Sequence, residues 1–148
     1  MSHDKIYSEV LLDHYRHPRH SGELTNPDIS MDGANPMCGD EITMYASVED
    51  GTLVDVAFRS TACAICTASA SMFCEMAKGK DFDHIHQHDQ LMRKLMHGEK
   101  LEHDERRALA DMNSLEGVSK LPVRVKCAML VWETWELMKQ KLKEINKV

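Results

Sequence analysis

The chain has 148 residues, of which 43% are hydrophobic, and it carries a formal net charge of −6. This length is most simply one domain, residues 1–148, that buries its own core. The acidic charge and the lack of a basic run argue against a nucleic-acid surface. No stretch approaches the ~20 apolar residues that cross a membrane, so no membrane partner is expected either.

The cysteines are the residues on which a functional interpretation depends. No apolar segment typical of a signal peptide follows the N-terminus, so we expect a cytoplasmic protein. Cytoplasmic cysteines are kept as thiols rather than disulfides. An odd number of them also favours metal binding or thiol chemistry. The five are Cys38, Cys63, Cys66, Cys74 and Cys127.

The first predicted element is a helix from about Asp4 to Arg16. Ser2 or Asp4 is expected to cap it, and Pro18 ends it. Its apolar face is expected to consist of Ile6, Val10, Leu11, His14 and Tyr15. The following segment is mixed in character, and a short edge strand is expected around residues 29–31.

The clearest local signal is an antiparallel β-hairpin over residues 41–59. Hydrophobic and polar residues alternate in both halves, and Asp50-Gly51 between them is a preferred two-residue turn. The residues expected on the buried face are Ile42, Met44, Ala46, Val48, Val54, Val56 and Phe58. Because the outer ends of an antiparallel hairpin are neighbours, strand pairing is expected to bring Cys63 next to Cys38 and Asp40.

Cys63 is followed by a predicted helix over residues 64–78, which Gly79 ends. This places Cys63 near a helix N-terminus, where unpaired N–H groups favour a thiolate and lower the thiol pKa. Cysteine is often inert core, and we assign Cys66 and Cys74 to that class. Cys63 and Cys66 also form a C-x2-C pair, so a zinc knuckle or a redox pair is the alternative.

The rest of the chain is predicted to be helical. Short helices are expected around residues 91–96 and 104–112, followed by a linker over 113–122. The last helix runs from Val123 to Lys147 and carries a broad apolar stripe, with Cys127 in its first turn. The fold class is therefore α+β: a small antiparallel three-stranded sheet packed on one face by helices, with a long C-terminal helix.

Four side chains from three separate elements supply the donors that a tetrahedral zinc ion requires. They are Cys38, Asp40, Cys63 and Cys127. Three thiolates and one carboxylate exceed the charge of a dication by about two units, and Arg124 and Lys126 stand beside Cys127 to compensate. The alternating histidines His84, His86 and His88 also suggest a metal tract, but a solvated polar face is the favoured interpretation.

Several segments are specific enough to identify a family. They are Tyr7-Ser8-Glu9-Val10-Leu11-Leu12-Asp13-His14-Tyr15, His17-Pro18-Arg19, Asn35-Pro36-Met37-Cys38-Gly39-Asp40, Cys63 leading into Ala68-Ser69-Ala70-Ser71, and Pro122-Val123-Arg124-Val125-Lys126-Cys127-Ala128. Over nearly its whole length the chain resembles the NifU/IscU-type iron–sulfur assembly proteins. It looks most like the SufU-type branch, because Lys126 replaces the histidine of the scaffold branch and the Cys63–Cys127 segment is longer.

This resemblance implies a zinc site made by the four donors named above. It also implies that Cys38 accepts persulfide sulfur from a cysteine desulfurase, a PLP enzyme, for the downstream iron–sulfur assembly machinery. We therefore expect Cys38, Asp40 and Arg124 to carry the transfer. The position that matches Cys66 is usually not cysteine in such proteins.

Two alternatives remain open from the sequence. The first is a scaffold on which a [2Fe–2S] cluster is assembled and transferred, because thiolates bind iron as readily as zinc. The second is a structural zinc-binding interaction module, although such sites rarely contain a carboxylate such as Asp40. The oligomeric state, and whether Cys38 or Cys127 takes sulfur first, are also open.

Overall fold

The computed structural model describes residues 8–147 of the chain. Its first helix, α1, spans Glu9–Arg16. Ser8 caps this helix, because its hydroxyl accepts a backbone N–H of the first turn at 3.2 Å. The predicted caps Ser2 and Asp4 lie outside the described residues.

Only part of the predicted apolar face of α1 is buried. Leu11 and His14 are inside the protein, whereas Val10 and Tyr15 are 41% and 43% exposed. Ile6, the remaining member of that face, lies outside the described residues. The helix therefore presents a narrower stripe to the core than the sequence suggested.

A four-stranded antiparallel sheet follows α1, with strand order β1-β2-β3-β4. The strands are β1 Ile29–Asn35, β2 Asp40–Glu49, β3 Thr52–Thr61 and β4 Lys80–Asp81. The prediction of three strands is therefore wrong. With two residues, β4 is too short to show alternation in the sequence. It forms where Gly79, at φ +81°, turns the chain and donates its N–H to the Leu53 carbonyl at 2.7 Å.

The predicted hairpin is confirmed as β2 and β3, joined by Asp50-Gly51 with positive φ at both residues. All four core residues predicted in β2 are buried. In β3 the prediction is wrong at Val54, because the pairing register shifts between Ser47 and Val48. This β-bulge puts Leu53 in the core and Val54 at the surface, at 0% and 37% exposure.

Two alanine substitutions test the bulge. We expect Leu53→Ala to lower the free energy of unfolding by about 2–5 kcal/mol, because it opens a cavity in the core. Val54→Ala should change the same quantity by only about 0.5 kcal/mol, as surface substitutions do. Urea unfolding of both variants measures this difference. A greater loss for Val54→Ala would show that β3 does not have the shifted register.

Helices make up most of the rest of the structure. They are α2 Ala64–Ala77, α3 Phe82–Met96, α4 His103–Leu109, a 3-10 helix Ala110–Lys120 and α5 Pro122–Glu144. Two predictions are corrected here. The helix expected around 91–96 begins at Phe82, and its buried face includes the polar His88 and Asp89, which hide the apolar period. The expected linker over 113–122 is mostly the 3-10 helix.

The core lies between one face of the sheet and the helices α2 and α5. The methionine and tryptophan positions of α5 are buried and form the core-facing part of its apolar stripe. Trp132 meets Phe73 of α2 edge to face, with ring centroids 4.8 Å apart. Ile145, near the end of the helix predicted over residues 123–147, follows α5 and is 42% exposed. None of the helices described within residues 8–147 is long and apolar enough to cross a membrane.

Two buried serines of α2 link that helix to its neighbours. Ser69 donates its hydroxyl to the Ala128 carbonyl of α5 at 2.6 Å. Ser71 lies 2.8 Å from His14 Nδ1, and His14 Nε2 lies 2.9 Å from the Asp111 carboxylate. Because both ring nitrogens are engaged, His14 ties α1 to α2 and to the 3-10 helix. These contacts fix α2, whose N-terminus carries part of the candidate site.

Candidate metal centre

Cys38 lies in the turn that joins β1 to β2, over residues 36–39. Its N–H donates to the Asn35 carbonyl at 3.1 Å. Gly39 has φ +70°, in the left-handed region, and nothing lies within 4 Å of the place that a Cβ would take. The glycine therefore serves the backbone conformation rather than a close approach. It presents the half-buried Cys38 thiol just before Asp40 begins β2.

Asp40 is the buried acid at the centre of the candidate site, with 1% of its surface exposed. Its Oδ1 accepts the backbone N–H of Cys63 at 2.9 Å. Its Oδ2 lies 3.7 Å from the Cys63 sulfur. The predicted meeting of the two hairpin ends is thus observed directly, at the first residue of β2 and just beyond the end of β3.

Cys127 brings a third element to the same place. The Cys38 sulfur, an Asp40 carboxylate oxygen and the Cys127 sulfur all lie within 4.8 Å of one another. Cys127 is fully buried, in the second turn of α5, and not in the predicted first turn, because the helix already begins at Pro122. Its thiol points to the Val123 carbonyl at 3.9 Å. As the sixth residue of the helix, Cys127 also follows the four residues whose N–H groups have no partner within the helix.

Cys63 joins this group through Asp40 and caps α2. Its sulfur accepts the Cys66 N–H at 3.4 Å, so the predicted position at a helix N-terminus is confirmed. The side chain is half-buried, as is that of Cys38. Two accessible thiols therefore stand at the rim of the site, and Asp40 and Cys127 form its floor.

The surroundings of Cys127 oppose ionisation of its thiol. Burial, followed by the contacts with Asp40, Cys38 and Cys63, raises the pKa of the Cys127 thiol. Several acidic groups packed this closely cannot all carry negative charge without a compensating cation. A bound divalent ion reverses this, because a coordinating thiol is deprotonated outright. The arrangement is what a cation site requires.

The donor chemistry and spacing fit zinc. With Zn–S bonds of ~2.3 Å, tetrahedral geometry places two sulfur ligands about 3.8 Å apart. The donor atoms of Cys38, Asp40 and Cys127 lie within 4.8 Å of one another, so small inward movements reach that spacing. The same thiolates are also ligands that iron accepts.

Asn35 is a polar residue of the site that the candidate ligand set did not include. It pairs with Asp40 across β1 and β2, and side chains of directly opposed residues lie on the same face of a sheet. Its amide Nδ2 is buried and has no hydrogen-bond partner among residues 8–147. The signal was present in the sequence, since Asn35 opens the motif that contains Cys38.

The other predicted residues lie around or outside the group. Arg124 is in the first turn of α5 and is half-buried, and Lys126 is exposed. The histidine tract lies on α3. There His88 is buried, with its ring nitrogens 3.0 and 3.1 Å from two backbone carbonyls. The predicted solvated face therefore holds for His86 but not for His88.

Comparisons with known proteins identify the family. The family model of the NifU-like N-terminal domain matches residues 6–128. The chain belongs to this family. As a NifU-like domain it is 38% identical over 133 residues to the zinc-dependent sulfurtransferase SufU of Bacillus subtilis (strain 168), covering 90% of this chain and 88% of that protein. The predicted membership of the NifU/IscU-type family is thus confirmed.

Two further comparisons agree with this NifU-like assignment. The iron–sulfur cluster assembly scaffold protein IscU of Thermotoga maritima is 33% identical over 142 residues, 96% of each chain. The crystal structure of FiSufU from Fervidobacterium islandicum AW-1 superposes with a TM-score of 0.82 at 29% identity, covering 92% of this chain and 98% of that one. Relatives named as sulfurtransferase and as scaffold therefore share this fold.

Proposed function

We propose that the chain is an iron–sulfur cluster assembly protein, acting as one domain, that accepts sulfur from a persulfide on a cysteine desulfurase. The zinc ion that supports this role is held by Cys38, Asp40, Cys63 and Cys127. The observation that carries the proposal is the three-donor group of Cys38, Asp40 and Cys127, with Cys63 bonded to the same carboxylate. The 38% identity to a zinc-dependent sulfurtransferase supports it.

Cys38 is the acceptor in this proposal. It is half-buried on a turn, whereas Cys63 caps α2 and Cys127 is fully buried on a helix, so Cys38 can leave the group with the least disturbance of regular structure. Its thiolate attacks the outer sulfur of the desulfurase persulfide. A new S–S bond forms on Cys38, and the desulfurase cysteine leaves as a thiolate. The sulfur then passes to the downstream assembly machinery.

The side chains around Cys38 hold the other thiols in place and offset the negative charge of the site. Bound zinc supplies a positive charge that keeps the thiols ionised at neutral pH. Asp40 fixes Cys63 through the 2.9 Å bond to its backbone N–H. Arg124, in the first turn of α5, offsets the negative charge of the four donors when Cys38 moves.

Sulfur transfer to Cys38 can be measured directly. We expect the wild-type protein, incubated with a cysteine desulfurase and cysteine, to gain the mass of one sulfur atom on Cys38 in a persulfide-trapping mass measurement. Cys38→Ser should lose this gain and should no longer stimulate desulfurase turnover. Cys74→Ser is the matched control, because Cys74 is fully buried in α2, and it should behave as wild type.

The outcome that contradicts the proposal is equally specific. If Cys38→Ser still receives sulfur and still stimulates the desulfurase, Cys38 is not the acceptor. Metal analysis of the purified protein accompanies this test. About one zinc per chain that resists exchange supports the zinc-dependent role.

A scaffold for a [2Fe–2S] cluster is the second candidate function. It is favoured by the 33% identity to an IscU scaffold protein and by the thiol donors of the site, which suit iron. Anaerobic reconstitution distinguishes it. A stable cluster chromophore that depends on Cys38, Cys63 and Cys127 would favour the scaffold over the sulfurtransferase.

A further inference from the structure

Cys63 and Cys66 form a C-x2-C pair across the N-terminus of α2. Cys63 is the N-cap and is half-buried, whereas Cys66 is fully buried one turn further on. The Cys66 N–H donates to the Cys63 sulfur at 3.4 Å. An accessible thiol at a helix N-terminus with a second cysteine three residues later is the arrangement of thiol–disulfide exchange motifs.

The proposed zinc site does not account for Cys66. A tetrahedral ion takes four donors, and Cys66 would be a fifth. It is nevertheless next to the site, because its N–H lies 3.4 Å from the Cys63 sulfur. Cys74, on the same helix and equally buried, lies near the other end of α2, where its carbonyl accepts the N–H of Lys78 at 3.1 Å. Cys66 is thus the spare thiol beside the site, and Cys74 is not.

We propose that Cys63 and Cys66 are a redox pair, which a peroxide converts to a disulfide that removes Cys63 from the metal centre and releases the metal. The release of metal rests on the proposed function, since it requires Cys63 to be a ligand. The disulfide itself does not depend on that function.

The chemistry balances in two steps. The Cys63 thiolate attacks one oxygen of hydrogen peroxide, which gives Cys63 sulfenic acid and hydroxide. The Cys66 sulfur then attacks the sulfenic sulfur, an S–S bond forms, and the sulfenic oxygen leaves as water with the Cys66 proton. Two thiols lose two electrons in total, and the peroxide gains them. A dithiol reductant restores both thiols by exchange.

Formation of this bond requires Cys63, which is the N-cap and precedes α2, to move toward Cys66. Side chains three residues apart on a helix have Cβ atoms ~5–6 Å apart, and a disulfide requires ~3.5–4.5 Å. The N–H groups of the first helical turn have no partner within the helix, so rotating the Cys63 side chain breaks the weak 3.4 Å cap and the 3.7 Å contact with Asp40 but no hydrogen bond within α2. The competing pair is Cys38 and Cys127, whose sulfurs lie within 4.8 Å of each other.

Disulfide mapping of the full-length chain tests the proposal. Limited hydrogen peroxide is added to metal-free and Zn²⁺-loaded protein, and unreduced tryptic peptides are analysed by mass spectrometry. The peptide covering residues 60–78 contains Cys63, Cys66 and Cys74. The Cys74→Ser variant therefore leaves one possible cross-link within it. Cys38 and Cys127 lie in other tryptic peptides, so their cross-link is recognised separately.

We expect the wild type and Cys74→Ser to form the Cys63–Cys66 cross-link, to release Zn²⁺ to a chromogenic chelator, and to rebind it after dithiol treatment. In Cys66→Ser, oxidation should proceed to Cys63 sulfinic acid, which a dithiol does not reduce. Zn²⁺ rebinding by that variant should therefore fall several-fold. Cys66→Ala, checked with Cys66→Ser for folding by circular dichroism, should give the same result.

Three outcomes would overturn the redox pair. The first is a Cys38–Cys127 cross-link in place of the Cys63–Cys66 cross-link. The second is full Zn²⁺ rebinding by Cys66→Ser that has been oxidised and then treated with the dithiol. The third is retention of Zn²⁺ by the cross-linked wild type. Failure of the proposed function is distinguishable from these. In that case Cys38 takes no sulfur from a desulfurase, whereas the Cys63–Cys66 cross-link still forms in the metal-free protein.

Discussion

Asp40→Ala is expected to weaken Zn²⁺ binding by more than about 100-fold, beyond the 10–100-fold typical of a lost outer-shell partner. The substitution removes a buried oxygen donor from the group it forms with Cys38 and Cys127. It also leaves the Cys63 N–H without the acceptor that now lies 2.9 Å away. Competition with a chromogenic zinc chelator measures the affinity.

Two further variants separate the roles of the carboxylate. Asp40→Asn keeps an acceptor for the Cys63 N–H but loses the negative charge, so we expect near-normal stability with reduced Zn²⁺ affinity. Asp32→Ala is the matched control, because Asp32 is an exposed aspartate of β1 that accepts a hydrogen bond from Thr43 at 2.7 Å. Its Zn²⁺ affinity should not change. If Asp40→Ala bound Zn²⁺ as tightly as this control, Asp40 would not be a ligand.

Half of the candidate site was predictable because it depends on local pairing. The alternation in β2 and β3 and the Asp50-Gly51 turn determine a hairpin, and a hairpin brings its two ends together. The contact between Asp40 and Cys63 follows from that alone. The position of Cys63 as a helix cap was equally local, since a helical pattern starts immediately after it.

The position of Cys127 in the site could not be predicted from local pairing. It depends on how α5 packs across β1 and α2, which are distant in sequence, so donor chemistry and the family resemblance indicated it but no local pattern did. The bulge at Val54 and the two-residue strand β4 were missed for another reason. Both features depend on backbone hydrogen bonds with another segment of the chain. Neither changes the hydrophobic pattern of the sequence enough to be recognised there.

Gly33 of β1 packs directly against Thr134 of α5, and we expect Gly33→Ala to lower the free energy of unfolding by about 3 kcal/mol, the upper part of the overpacking range. An added Cβ would lie 2.0 Å from Thr134 Oγ1 and 3.2 Å from a methyl carbon of Ile42. The Thr134 hydroxyl cannot rotate away freely, because it donates to the Leu130 carbonyl at 2.8 Å.

A double mutant shows whether this collision is the cause. Thr134→Ala alone should cost about 1 kcal/mol, the value of one hydrogen bond, and should recover most of the stability lost in Gly33→Ala when the two are combined. Urea unfolding measures all three variants. If the losses simply add, the collision with Thr134 is not the source of the destabilisation.

Gly33→Ala should also weaken the metal centre. Cys127 is on α5, so a helix forced away from β1 carries the Cys127 sulfur away from Cys38 and Asp40. We therefore expect folded Gly33→Ala to bind Zn²⁺ more weakly than wild type, and the double mutant with Thr134→Ala to regain affinity together with stability. Normal Zn²⁺ affinity in Gly33→Ala would mean that α5 keeps its position and that β1 moves to accommodate the added methyl group.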